Sequence, residues 1–150
     1  MASLLDTIVA YFARDKWEFE TVPNQPMLQM SFVSNFNAWS CVAQALEPEQ
    51  QFVFYSLAPI EVTRPKLWLC AEYLMRANYN LVLGNFELDM DDGTVRFKTS
   101  IDVEGDRLSY ELFRPVVYSN VAMMERYLPG LKAIILEDMS PKSALARAES

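Results

Sequence analysis

The dipeptide Asp92-Gly93 lies between two runs in which apolar and polar residues alternate, and this constrains the fold more than any other feature of the chain. Asp-Gly is a preferred central pair for a two-residue hairpin turn, because both positions tolerate the positive φ that a tight antiparallel reversal requires. A two-residue loop predicts that Met90 faces Val95, Leu88 faces Phe97, Phe86 faces Thr99, Gly84 faces Ile101 and Val82 faces Val103 on the core side. The same register sets Asp89 opposite Arg96 and Glu87 opposite Lys98 on the other side. These opposite-charge pairs specify pairing, because a one-residue slip would turn all four charges inward.

Elsewhere the period of the apolar residues assigns the elements. Ser3 with Asp6 forms a capping-box-like start, and Leu5, Ile8, Val9 and Phe12 follow at helical spacing to Arg14. From Trp17 the pattern changes to alternation, with Trp17, Phe19 and Thr21 against Glu18 and Glu20. Pro23 to Pro26 reads as a turn, followed by strands from Met27 to Ser34, from Ala38 to Leu46 and through Phe52 to Tyr55. Thr63-Arg64-Pro65 opens a helix with Thr63 as cap, Leu67, Cys70, Ala71 and Leu74 as its buried stripe, and Asn78 as its stop.

After Gly105 the helical period returns through Leu112, Val117, Val121, Met124 and Leu128, and Val116, Met123 and Tyr127 add a second apolar stripe. Pro129-Gly130 is expected to break this helix, leaving Leu131 to Leu136 as a separate run and Ser140-Pro141 as the start of a last short one. The expected architecture is α+β: an antiparallel sheet of five to six strands, in the order helix, meander, helix, hairpin, helices. One domain over residues 1–139 and a helical tail over residues 140–150 account for the chain, whose 150 residues suit a single core.

Composition narrows function by exclusion. With no histidine, the Ser-His-Asp and Cys-His arrangements and histidine metal sites are impossible. Two cysteines are too few for a disulfide scaffold or a zinc set, and a net charge of −7 works against nucleic-acid phosphate and anionic lipid. No apolar run approaches the roughly eighteen residues of a membrane helix, and the N-terminus lacks a basic region and cleavage site. The cytoplasm is the expected compartment.

The four glycines are too scattered to form a phosphate loop. The acidic Asp89 to Gly93 tip fails the spacing of a calcium loop, since Leu88 and Thr99 would occupy its first and last ligand positions. Glu18, Glu20, Glu87 and Asp89 could supply paired carboxylates, but they read as the wet face of outer strands. No catalytic residue, cofactor site or metal site is expected.

What remains is an apolar surface on the helices. Val116, Met123, Met124 and Tyr127, joined by Trp68 and Met75 of the middle helix, form a candidate face for a protein partner or a second copy of the chain. Flexible methionine-rich surfaces suit varied partners.

The order of elements resembles the fold of type III secretion chaperones, and the residues from Leu67 to Pro129 resemble the YbjN domain family. The likeness is carried by Leu74-Met75-Arg76-Ala77-Asn78, by Gly84 to Asp89 with Val95 to Lys98, and by Arg126-Tyr127-Leu128-Pro129. Lys98 to Glu104 resembles the cyanobacterial branch. The resemblance implies a chaperone-like or regulatory binding domain that dimerises, and it supplies no catalytic residue.

Overall fold

A computed structural model describes residues 2–150. Helix α1, Leu4–Arg14, begins as expected: Ser3 Oγ accepts the Asp6 N–H at 3.0 Å and Asp6 Oδ2 accepts the Ser3 N–H at 3.3 Å. The meander follows as β1, Phe19–Thr21, β2, Met27–Val33, β3, Ala38–Leu46, and β4, Gln51–Leu57. A short 3-10 turn at Arg64–Lys66 leads into α2, Leu67–Tyr79, and then come the hairpin strands β5, Asn85–Leu88, and β6, Val95–Asp102. Helices α3, Tyr110–Glu137, and α4, Pro141–Glu149, complete the chain.

The strands form one antiparallel sheet in the order β1-β2-β3-β4-β6-β5. Alternation sorts its two sides. Leu28, Cys41, Ala43, Phe52, Phe54, Phe97 and Thr99 point into the core beneath α1 and α3, whereas Gln29, Ser31, Ser40, Lys98 and Ser100 lie on the opposite, open side. Phe12, Phe52, Phe54 and Phe113 pack ring against ring at the centre. Asn120 is the polar tie across this interface: its Nδ2 lies 2.9 Å from the Phe54 carbonyl, 3.0 Å from the Phe97 carbonyl and 3.0 Å from Thr99 Oγ1.

The hairpin departs from the predicted register by two residues. Leu88 pairs with Val95, Glu87 with Arg96, Phe86 with Phe97 and Asn85 with Lys98. The loop holds Met90, Asp91, Asp92 and Gly93, because the Asp89 N–H bonds the Thr94 carbonyl at 2.9 Å and the Gly93 N–H bonds the Asp89 carbonyl at 2.8 Å. Only Gly93 takes a positive φ in this turn, +79°, whereas a two-residue type I′ loop requires two such residues. Asp89 Oδ1 accepts the Asp91 N–H and Asp92 Oδ1 accepts the Thr94 N–H, so both carboxylates are engaged in shaping the wider turn. A shift of two preserves which side each residue faces, but Met90 leaves the core face, and Glu87 takes both cations, Arg96 at 2.6 Å and Lys98 at 2.9 Å.

Four further expectations change. Strand β5 begins at Asn85, since Gly84 turns away with φ +77°; Val82 is therefore 94% exposed and does not face Val103. Thr63 makes no capping hydrogen bond, and Asn78 lies inside α2, where its side chain holds the Phe86 backbone: Oδ1 accepts the Phe86 N–H at 2.7 Å and Nδ2 donates to the Phe86 carbonyl at 3.1 Å. Helix α3 runs unbroken through Pro129 and Gly130. Tyr73 of α2 packs against this segment and its hydroxyl donates to the Tyr127 carbonyl at 2.7 Å, a tertiary contact that anchors the helix beside the proline.

Candidate functional site

Helix α2 has two sides of opposite character. Cys70, Tyr73, Leu74 and Ala77 face the core, while Trp68, Met75 and Tyr79 recur at spacings of seven and four residues along the outer side. Trp68 is 78% exposed and Met75 71%. Between them the Arg76 Nε donates to Glu72 Oε2 at 2.8 Å, an i,i+4 pair lying within the apolar stripe. The stripe continues past the helix into exposed Val82 and Leu83. Helical spacing made Trp68 and Met75 legible from sequence; Tyr79 obeys the same period and was missed.

The α3 part of the predicted face is divided differently. Val116, Met124 and Tyr127 are buried, and Met123 is half-buried against the core. The wide apolar arc is occupied from two directions, by the sheet on one flank and by α2 and α4 on the other. Ala144 of α4 is fully buried, and the Tyr127 hydroxyl donates to Glu149 Oε2 at 2.7 Å. Burial, reinforced by the adjacent Glu149 carboxylate, pushes the Tyr127 phenol up to about 12. Of the six predicted residues, only Trp68 and Met75 are largely exposed to solvent.

The open side of the sheet carries a concavity of about 750 Å³, bordered by Glu18, Glu20, Gln29, Ser31, Ser40 and Leu57. It is a broad trough, not an enclosed chamber. A second, mainly apolar cavity of about 200 Å³ lies where β6 meets the start of α3.

At the end of α1, Asp15 accepts hydrogen bonds from Tyr110 at 2.5 Å and Tyr118 at 2.7 Å, and the Trp17 indole N–H donates to the Tyr118 hydroxyl at 3.0 Å. This cluster ties α1 to α3. Burial pushes the Tyr118 phenol upward and its bond to Asp15 adds to the shift.

Burial pushes the thiols of Cys41 and Cys70 up to about 11, which keeps both protonated near neutrality. Partial burial alone would raise the Glu87 carboxyl, but hydrogen bonds from Lys98 and Arg96 outweigh it and hold the group below the usual glutamate range. Among the described residues, no three acidic or thiol side chains gather in a metal-sized cluster. No helix formed by the described residues is long and apolar enough to cross a membrane.

An open antiparallel sheet with helices on one side, a buried α3 and an outward apolar α2 make an α+β domain whose fold is similar to that of type III secretion chaperones. The chain belongs to the YbjN family, described as "Putative bacterial sensory transduction regulator", which it matches over residues 4–133. The solved structure of YbjN from E. coli, described as a putative transcription regulator, is similar with a TM-score of 0.67 at 17% identity, over 86% of this chain and 90% of that one. A chain of the HopA1-SchA chaperone-effector complex is similar with a TM-score of 0.55 at 15% identity, over 81% and 91% of the two chains. A chain of the ExsC-ExsE complex gives a TM-score of 0.51 at 12% identity, over 84% and 91%. No curated protein matches in sequence.

Proposed function

We propose that this chain is a non-catalytic, chaperone-like or regulatory domain of the cytoplasm that binds protein segments and pairs with a second copy of itself through the outer side of α2. The observation that carries this reading is the unpartnered stripe of Trp68, Met75 and Tyr79. Large side chains so exposed on a folded helix cost solvation free energy until something covers them. A second copy is the simplest cover, because two such stripes meeting about a two-fold axis bury aromatic on aliphatic surface, and Glu72 of one copy can approach Arg76 of the other. Two of the similar structures are complexes, one of them described as chaperone with effector, which supports a protein segment as ligand.

Size-exclusion chromatography with light scattering tests the reading. The wild-type chain is expected at twice the monomer mass, and Trp68→Glu with Met75→Glu at the monomer mass with an unchanged far-UV circular dichroism spectrum and a lower, concentration-independent unfolding midpoint. A wild-type chain that stays monomeric at every concentration, and whose partners from the native host are recovered equally by the double variant, would sink it.

A further inference from the structure

Strand β6 outruns its neighbour. It spans Val95–Asp102, but β5 pairs only with Val95 to Lys98. The bonds from the Ala58 N–H to the Val95 carbonyl and from the Val103 N–H to the Gln50 carbonyl show that odd-numbered residues of β6 bond to the β4 side. The even-numbered ones therefore point the other way, and the bond from the Asp89 N–H to the Thr94 carbonyl follows that rule at the hairpin end. Beyond Lys98, the N–H and C=O groups of Ser100 and Asp102 face an edge where the described residues supply no partner.

That edge differs from the edge of β5 at Phe86. There the outward N–H and C=O of Phe86 are both held by the Asn78 side chain. No side chain plays this part for Ser100 or Asp102. Exposed strand edges are templates for added strands unless they are covered. Directly beside this one is the apolar cavity of about 200 Å³, lined by Leu83, Ile101, Leu112, Pro115, Val116 and Ser119. Ile101 lies between Ser100 and Asp102 and points to the cavity side, so a strand added here directs the residue opposite Ile101 the same way.

We propose that the free edge of β6 and this cavity together receive an extended peptide segment, antiparallel to β6, with a large apolar residue opposite Ile101 and a basic residue opposite Asp102. The proposal rests on the protein-binding reading and names the kind of segment bound. Antiparallel pairing continues the arrangement of every other strand pair in the sheet. Outward backbone groups at strand spacing call for a peptide backbone, and the apolar lining calls for an aliphatic or aromatic side chain. The basic preference follows from charge. The side chain opposite Asp102 emerges on the open side of the sheet beside that exposed carboxylate, with Glu104 two residues further along a chain of net charge −7. The segment is short, because the chain at Leu83 and Gly84 closes against β6 next to Lys98 and Thr99.

The probe is the capped peptide Ser-Arg-Leu-Ser-Ser, titrated into the 15N-labelled full chain and followed by amide shifts. Binding is expected to move Ser100, Asp102, Leu112 and Ser119. Replacing the peptide leucine by alanine, or N-methylating the serine after it, is expected to weaken binding about tenfold or more, since each removes a contact of the order of 1.4 kcal/mol. N-methylating the leucine itself leaves affinity unchanged, because that amide points away from β6. On the protein, Ser100→Pro removes only an outward donor and is expected to abolish binding with the remaining amide spectrum retained. Leu112→Glu at the cavity rim does the same without touching the strand.

Absence of binding at millimolar peptide, shifts centred on Trp68 or on β1, equal effects of the two N-methyl peptides, or a second copy occupying the cavity would each overturn the proposal. A chain that dimerises through Trp68 yet ignores the peptide removes this proposal and leaves the protein-binding reading intact.

Discussion

The hydroxyl of Tyr73 sits where a β-carbon on Gly130 would be: that carbon would lie 2.2 Å from the oxygen and 2.7 Å from Cζ. The hydroxyl cannot withdraw freely, because it donates to the Tyr127 carbonyl one turn back along α3. Helices α2 and α3 therefore meet at a glycine, immediately after a proline, at the point expected from sequence to be a break.

Gly130→Ala pits two effects against each other. Alanine is favoured over glycine in a helix by about 1 kcal/mol, while the enforced overlap with a pinned ring costs roughly 1–3 kcal/mol. A net loss of stability is expected in urea unfolding. Tyr73→Phe alone is expected to lose about 1 kcal/mol, and the double variant less than the sum, because the nearest clashing atom is gone.

Asn120 offers its amide N–H groups to two sheet carbonyls and the Thr99 hydroxyl inside a buried interface, and its own Oδ1 accepts from none of the described residues. Asn120→Ala is expected to destabilise by about 1–3 kcal/mol, because it strips buried acceptors of a donor. Thr99 is partly spared, since its hydroxyl also donates to the Val116 carbonyl at 2.5 Å. Chemical denaturation with native-state hydrogen exchange at α3 checks both the size and the location of the loss.

Glu87 bridges Arg96 and Lys98, and its carboxyl is held below the usual glutamate range in the folded chain. In the unfolded chain it titrates in the usual range. Its contribution is therefore complete above the usual value and disappears as pH falls through the depressed one. Glu87→Gln is expected to lower stability at neutral pH by about 1 kcal/mol or less, given the exposure of the pair, and the difference from wild type should vanish in acid. Urea midpoints of both proteins across that pH range provide the comparison.

Cys41 and Cys70, buried and with thiols pushed up to about 11, should react with a thiol reagent at neutral pH only after unfolding. The expected result is two equivalents of label in denaturant and almost none in buffer. Rapid labelling of the native chain at either position would contradict the packing described.

Much of this fold was written locally. The capping box of α1, the alternation of β2 to β4 and the buried stripe of α2 each follow from side-chain period, and period survives whatever surrounds it. Even in the misread hairpin the faces of the strands were correct, since a shift of two residues keeps parity. Trp68 and Met75 stood out for the same reason. The free edge of β6 was not legible, because it depends on β5 starting only after Gly84, a backbone turn that the apolar run from Leu81 to Leu83 conceals.

The sequence by itself determined which residues alternate, which recur at helical spacing, and that no histidine chemistry is available. Only tertiary structure decided the loop at Asp89 to Thr94, where two carboxylates turn inward to their own backbone and Gly93 abuts the Val62 carbonyl. It also decided the continuity of α3 across Pro129, and that Val116, Met124 and Tyr127 are core while Trp68 and Met75 are surface. The physical reason is the same in each case. Local pattern fixes the direction a side chain points, but what it meets there is set by segments distant in sequence, here Tyr73 and α4 against α3.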